Sequence, residues 1–212
     1  MKNLIAFLLF VAVSYTAGAS PDWKLKKEND HIKIYTADVA GSSFKTVKVE
    51  CTVTGSFSQV IATLFDIDKQ KEWVYNDKYS RLLKKVSDNE MLYYSEVSVP
   101  WPCSNRDFVA HLKVTQTSAD MVTIVSHAEP AFMPEKNGLV RIKSSNAKWT
   151  MTALGNNQIR IDYVVQFDPS GAVPAWLINM FVTKGPYETF DQLQARMNLP
   201  TYQNAHFSFI KD

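Results

Sequence analysis

The chain has 212 residues, 46% of them hydrophobic and 12% aromatic, with 23 basic against 21 acidic side chains and a formal net charge of +2. That near balance argues against a nucleic-acid partner, which rewards a basic stripe able to neutralise phosphates. Two cysteines, Cys51 and Cys103, are too few for a disulfide framework, and both are expected to be buried free thiols.

The first element reads as a leader. Lys2 supplies a positive start, LIAFLLFVAV an apolar run, and Ala17, Gly18 and Ala19 the small residues of a cleavage site. The run is shorter than the roughly 20 apolar residues a membrane span needs. The expectation is export, to the periplasm or beyond the cell, with removal of residues 1–19. Residues 20–212 then form one domain. A chain of that size buries about 70% of its unfolded surface, enough to enclose a cavity.

PDWKLKKEN is read as a short N-terminal helix with Asp22 near its start. HIKIYTA and FKTVKVECTV alternate as strands, the second placing Val47, Val49, Cys51 and Val53 on one face. SFSQVIATLFDI follows as a serine-capped helix whose apolar stripe is Val60, Ile61, Leu64 and Phe65.

Strand patterns dominate the next ninety or so residues: MLYYSEVSV, DFVAHLKVT, MVTIVSHA, LVRIKS, AKWTMTA and QIRIDYVVQF are each of strand length. In the last, Ile159, Ile161, Tyr163, Val165 and Phe167 share one face. Between the first two of these strands, Pro100 and Pro102 mark a break in pairing, Trp101 and Cys103 beside them are expected to pack rather than take part in chemistry, and Asn105 suits the bend that follows. Alternation sends Arg106 toward Phe108, Ala110, Leu112 and Val114, and Asp107 toward His111 and Lys113. Arg106 is expected near one end of the enclosed space, paired with a neighbouring carboxylate.

Asp168, Pro169, Ser170 and Gly171 have the residues of a type I turn. A long helix from Pro174 to Met197 closes the pattern, with a kink expected at Gly185-Pro186, because Pro186 cannot donate to the carbonyl four residues back. The class is α+β: a mostly antiparallel sheet gripped by one long helix.

The chain has no GxSxG elbow, no HExxH and no glycine-rich phosphate loop. His31, His111, His127 and His206 have no short ligand spacing, so neither a metal nor a cofactor is expected.

KEWVYN, PWPCSNRDFV, FMPEKNGLVRI, KWTM and YVVQFDPSGAVPAWLIN occur in an order that resembles the START family of lipid-transfer domains, over about residues 22–199. The resemblance implies a helix-grip fold, a curved antiparallel sheet wrapped around the C-terminal helix with a lipid tunnel between them. It also implies a non-catalytic role. A carrier must enclose its cargo, because each exposed CH₂ costs about 0.8 kcal/mol.

The tunnel walls are expected from Trp73, Phe108, Leu112, Trp149, Phe167, Trp176, Met180 and Phe181. Tyr94, Glu96, Arg106, Arg141 and Tyr163 are the candidate polar groups for a head group. Phe132 and Met133, in the Glu129–Gly138 loop, are the candidate gate. In sterol-handling relatives a buried Arg lies six residues beyond the Arg of RDF. Leu112 stands there here, with Tyr93 near the acidic partner's place, which points to an acyl lipid or another apolar ligand. The expected protein is a monomer that binds a lipid or other hydrophobic small molecule and touches membranes transiently. An enzyme using Glu96 or His127, or a ligand-sensing scaffold, are the alternatives.

Overall fold

The computed structural model describes residues 21–41, 44–171 and 173–212, with the side chains of Ala175 and Trp176 outside that description. The expected leader therefore lies outside the described residues. Among the described residues ten strands form one sheet: β1 (Lys24–Glu28), β2 (Ile32–Ala37), β3 (Thr46–Thr54), β4 (Asp77–Ser87), β5 (Glu90–Val97), β6 (Arg106–Ser118), β7 (Met121–Ala128), β8 (Val140–Arg141), β9 (Ser144–Gly155) and β10 (Gln158–Asp168). Their order across the sheet is β1-β2-β3-β10-β9-β7-β6-β5-β4, all antiparallel, and the short β8 runs parallel to the start of β6.

α1 (Phe57–Phe65) begins at a capping box. The Gln59 N–H donates to Ser56 Oγ, and the Ser56 N–H donates to Gln59 Oε1. Gly55 just before it has a φ of +144°, and a Cβ there would fall 2.7 Å from Gln59 Oε1 and 3.0 Å from Met197 Cε. α1 buries Phe57, Val60, Ile61 and Leu64.

The long C-terminal helix is built from α2 (Ala175–Asn179), a π-helical turn (Met180–Lys184) and α3 (Gly185–Met197), with a short α4 (Pro200–Gln203) beyond it. The π turn explains how Pro186 is accommodated. The Gly185 N–H reaches back five residues to the Met180 carbonyl, so the hydrogen-bond ladder has already shifted register before the proline. Gly185 has an ordinary φ; a Cβ there would press the Met180 carbonyl at 3.1 Å and the Tyr75 ring at 3.3 Å.

Three expectations about local structure are corrected. PDWKLKKEN is not helical. Lys24–Glu28 is an exposed edge strand, because pairing with β2 overrides helix propensity. Its lysines suit an edge, where charge discourages further strand addition. The turn after β10 is not type I: Ser170 has a φ of +58°, in the left-handed region, and its N–H donates to Asp168 Oδ1 at 2.7 Å. Trp101 was expected to pack, but it is 90% exposed at the tip of the bend between β5 and β6. Asn105 sets that bend by accepting from the Val99 N–H at 3.0 Å and donating to Glu96 at 3.2 Å.

Cys51 is buried and Cys103 half-buried, and neither is bonded. Burial pushes the Cys51 thiol up to about 12. At pH 8 only about 10⁻⁴ of it is the reactive thiolate. A thiol reagent at that pH is expected to titrate one group per chain in the native protein, Cys103, and two in denaturant.

Candidate functional site

The inward faces of the strands change composition along their length. At one end of the sheet they carry Val114, Val122, Ile124, Met151 and Ile161, which close on Leu193 and Met197 of α3 as a filled core. The returning C-terminal tail seals that end with Ile210 and with Phe207 stacked edge-on to Phe65. Toward the other end, the same faces carry Ser95, Ala110, Ser126, Ala128, Ser145 and Ala147. Ala110 and Ala128 are direct cross-strand partners, as are Ser126 and Ala147.

The space these small side chains leave is a cavity of about 270 Å³ adjoining a second of about 210 Å³. They share Phe108, Tyr163, Pro186 and Thr189 as walls, so they are two lobes of one chamber between sheet and helix.

Aromatic rings line the chamber. Trp149 stacks on Phe190 of α3 with centroids 4.9 Å apart, and Tyr163 lies 4.9 Å from Trp149 and 5.4 Å from Phe190. Phe167 meets Phe181 edge-on at 5.6 Å in the second lobe. Val99, Leu177 and Met180, with Phe181 and Tyr75 against them, form a separate apolar cluster where the bend meets the helix.

The polar residues among the chamber's described walls include Gln70, Tyr93, Ser95, Ser126, His127, Ser145, Tyr163 and Thr189, with no carboxylate, lysine or arginine. Asp77 is buried under the chamber floor and accepts from Ser95 Oγ at 2.9 Å and from Ser80 Oγ. Burial raises its carboxyl above the usual range, against the lowering effect of both serines. Burial also raises the phenols of Tyr93 and Tyr163, which keeps both protonated as donors. Trp73 lines the first lobe, and its buried indole N–H has no hydrogen-bond partner among the described residues.

Trp73, Phe108, Leu112, Trp149 and Tyr163 therefore line the first lobe, and Phe167, Met180 and Phe181 the second. The side chain of Trp176 lies outside the described residues. Four of the expected polar groups are placed differently. Tyr93, Ser95 and Val97 face the chamber, so alternation turns Tyr94 and Glu96 to the other side of the sheet. There Tyr94 packs with Leu92, Val109 and Met133, and Glu96 pairs with Lys78 at 2.8 Å. Arg106 is buried but meets no carboxylate among the described residues; it donates to the carbonyls of Ser104, Pro169 and Ser170.

Arg141 is the fourth. It lies on the outer face in a bidentate pair with Asp107, at 2.8 and 2.9 Å, both side chains essentially inaccessible. Asp107 thus shares the outer face with His111 and Lys113, as alternation predicts, but is buried there by its pairing with Arg141. The other guanidinium hydrogens reach the carbonyls of Pro130, Met133 and Pro134. This pins the Glu129–Gly138 loop to the back of the sheet. Phe132 is half-exposed, Met133 packs against Tyr94, and neither borders the chamber, which corrects their reading as a gate.

Sequence reading missed the small residues that make the chamber. The signal was available: serine and alanine at inward positions of strands whose other inward residues are large.

The profile of the START domain family matches residues 11–202. An uncharacterized protein of Pseudomonas aeruginosa is 30% identical over 192 residues, covering 89% of this chain and 94% of the relative. The phosphatidylcholine transfer protein of Mus musculus is 32% identical over 186 residues, covering 84% and 85%. The STAR-related lipid transfer protein fragment from Xanthomonas axonopodis superposes with a TM-score of 0.77 at 29% identity, covering 84% of this chain and 99% of that one. Human STARD10 superposes with a TM-score of 0.71 at 18% identity, covering 85% and 78%, a likeness of fold.

Proposed function

The chain belongs to the START domain family, and from that premise we propose that it holds one acyl lipid in the chamber and carries it between membranes without altering it chemically. The observation that carries this reading is the change from large to small inward side chains along the strands. A fold selected only for stability fills such positions, since each missing methylene forfeits packing and transfer energy. Here the loss is confined to one end, under aromatic walls that suit hydrocarbon.

The relatives named as phosphatidylcholine transfer proteins favour a phospholipid as the cargo. Among the described residues no arginine or lysine borders either lobe, which favours a ligand whose enclosed part bears no net negative charge. In this reading the indole N–H of Trp73 and the phenols of Tyr93 and Tyr163 serve acceptor oxygens of the ligand, since a buried donor left unpaired is costly. The working form is exported, monomeric and free of residues 1–19.

The test is organic extraction of the purified mature protein, with mass spectrometry of the extract and transfer of labelled phosphatidylcholine between vesicles. A stoichiometric lipid and accelerated transfer are expected. No lipid in the extract, together with no rise in melting temperature on adding lipids, overturns the reading; a bound lipid returned with altered mass overturns its non-catalytic part.

A further inference from the structure

The outer face of the sheet carries a second group of chemically capable side chains, one of which, that of His127, belongs to a residue that also borders the first lobe. The register of β6 and β7 sets His111 directly opposite His127, with ring centroids 4.9 Å apart. His127 Nε2 lies 3.0 Å from Glu129 Oε1, and His111 Nε2 lies 2.7 Å from Glu90 Oε1. One ligating atom from each of His111, His127 and Glu129 falls within 4.8 Å of the others.

We propose that this cluster is a binding site for a divalent transition-metal ion, zinc being the best match. His111, His127 and Glu129 are the protein ligands, and water completes the coordination.

The donor chemistry fits. Two imidazoles and one carboxylate are an established set for zinc sites that keep an open position, and imidazole nitrogen suits zinc, copper and nickel over calcium or magnesium. Zinc bonds of about 2.0–2.2 Å place tetrahedral ligands about 3.4 Å apart, so the widest gap must close by about 1.4 Å. The backbone need not move for this. His127 and Glu129 are 46% and 41% exposed, so their side chains can rotate and an ion can enter from solvent.

The supporting groups are also in place. The Glu129 N–H donates to the Val109 carbonyl at 2.8 Å, fixing the backbone of the third ligand against β6. Glu90, mostly buried, can take the His111 Nε2–H and so orient the ring with Nδ1 free for the ion, the usual supporting arrangement around a ligating histidine. Lys113 lies 3.0 Å from the other oxygen of Glu90 and holds that carboxylate in position. The two carboxylates outnumber this one lysine, so a dication is welcome. In the free protein each ligand is partly occupied by its neighbour, and an affinity in the micromolar range is expected for that reason.

The experiment is calorimetric titration of untagged, chelator-treated protein with Zn²⁺, paralleled by visible absorption with Co²⁺. One ion per chain is expected, with a tetrahedral Co²⁺ band. His111→Ala and His127→Ala should each weaken Zn²⁺ at least tenfold, while His31→Ala and His206→Ala leave it unchanged. Glu129→Gln, at an exposed position that does not threaten folding, should also weaken it. The proposal is overturned if the native protein gives neither heat nor band, if binding survives His127→Ala, or if His31→Ala weakens it equally.

Discussion

Replacing Asp107 with alanine is expected to destabilise the protein by about 3–5 kcal/mol, the loss that follows when one member of a buried ion pair is removed. The magnitude follows from the surroundings. Arg141 is as inaccessible as Asp107, so its charge would be left without a counter-ion and without water. The Arg141→Leu variant should lose a similar amount, and it should also free the Glu129–Gly138 loop, because the same guanidinium holds the carbonyls of Pro130, Met133 and Pro134. Urea denaturation measures the first effect, and limited proteolysis within the loop the second. A loss below about 1 kcal/mol for Asp107→Ala, the range of exposed pairs, would show that the pair is hydrated.

The second large effect concerns the chamber. Ala110→Trp is expected to slow lipid transfer at least tenfold while leaving the fold intact. Ala110 lies between Tyr93 and Ala128 on the inward face, where the added ring has space to occupy. Its cost should therefore fall below the about 1–3 kcal/mol of overpacking a filled core. Ile124→Ala, on the neighbouring strand and the same face but in the filled half, should behave in the opposite way. It should cost about 2–5 kcal/mol of stability and leave transfer near the native rate. Equal transfer by Ala110→Trp and the native protein in a vesicle assay would place the cargo elsewhere.

Much of this architecture was legible in the residues. The alternation in FKTVKVECTV and QIRIDYVVQF gave the correct inward faces for β3 and β10, and Ser56 marked the start of α1. Reading was weaker where the pattern is symmetric. Tyr93 and Tyr94 are adjacent aromatics of equal size, so periodicity cannot say which faces the cavity; only pairing with β6 settles it. Asp107 and Arg141 are 34 residues apart in sequence and meet because β8 adds parallel to β6, a placement no local pattern encodes. The juxtaposition of His111 and His127 is hidden for the same reason, since they meet only through the register of β6 and β7. KLKKE has the composition of a helix and becomes a strand only because β2 offers it an edge.

The division of each strand into a filled half and a small-residue half has an evolutionary consequence. Cooperative folding draws on Val114, Ile124, Met151 and their neighbours, and these positions bear the selective burden of holding the domain together. Ser95 shares it through its hydrogen bond to the buried Asp77, but Ala110, Ser126, Ala128, Ser145 and Ala147 bear little of it. Exchanges among serine, alanine, glycine and threonine there can reshape the chamber at small cost to the scaffold. A lineage built this way can change cargo by drift at a few inward positions, without first acquiring a stabilising substitution elsewhere.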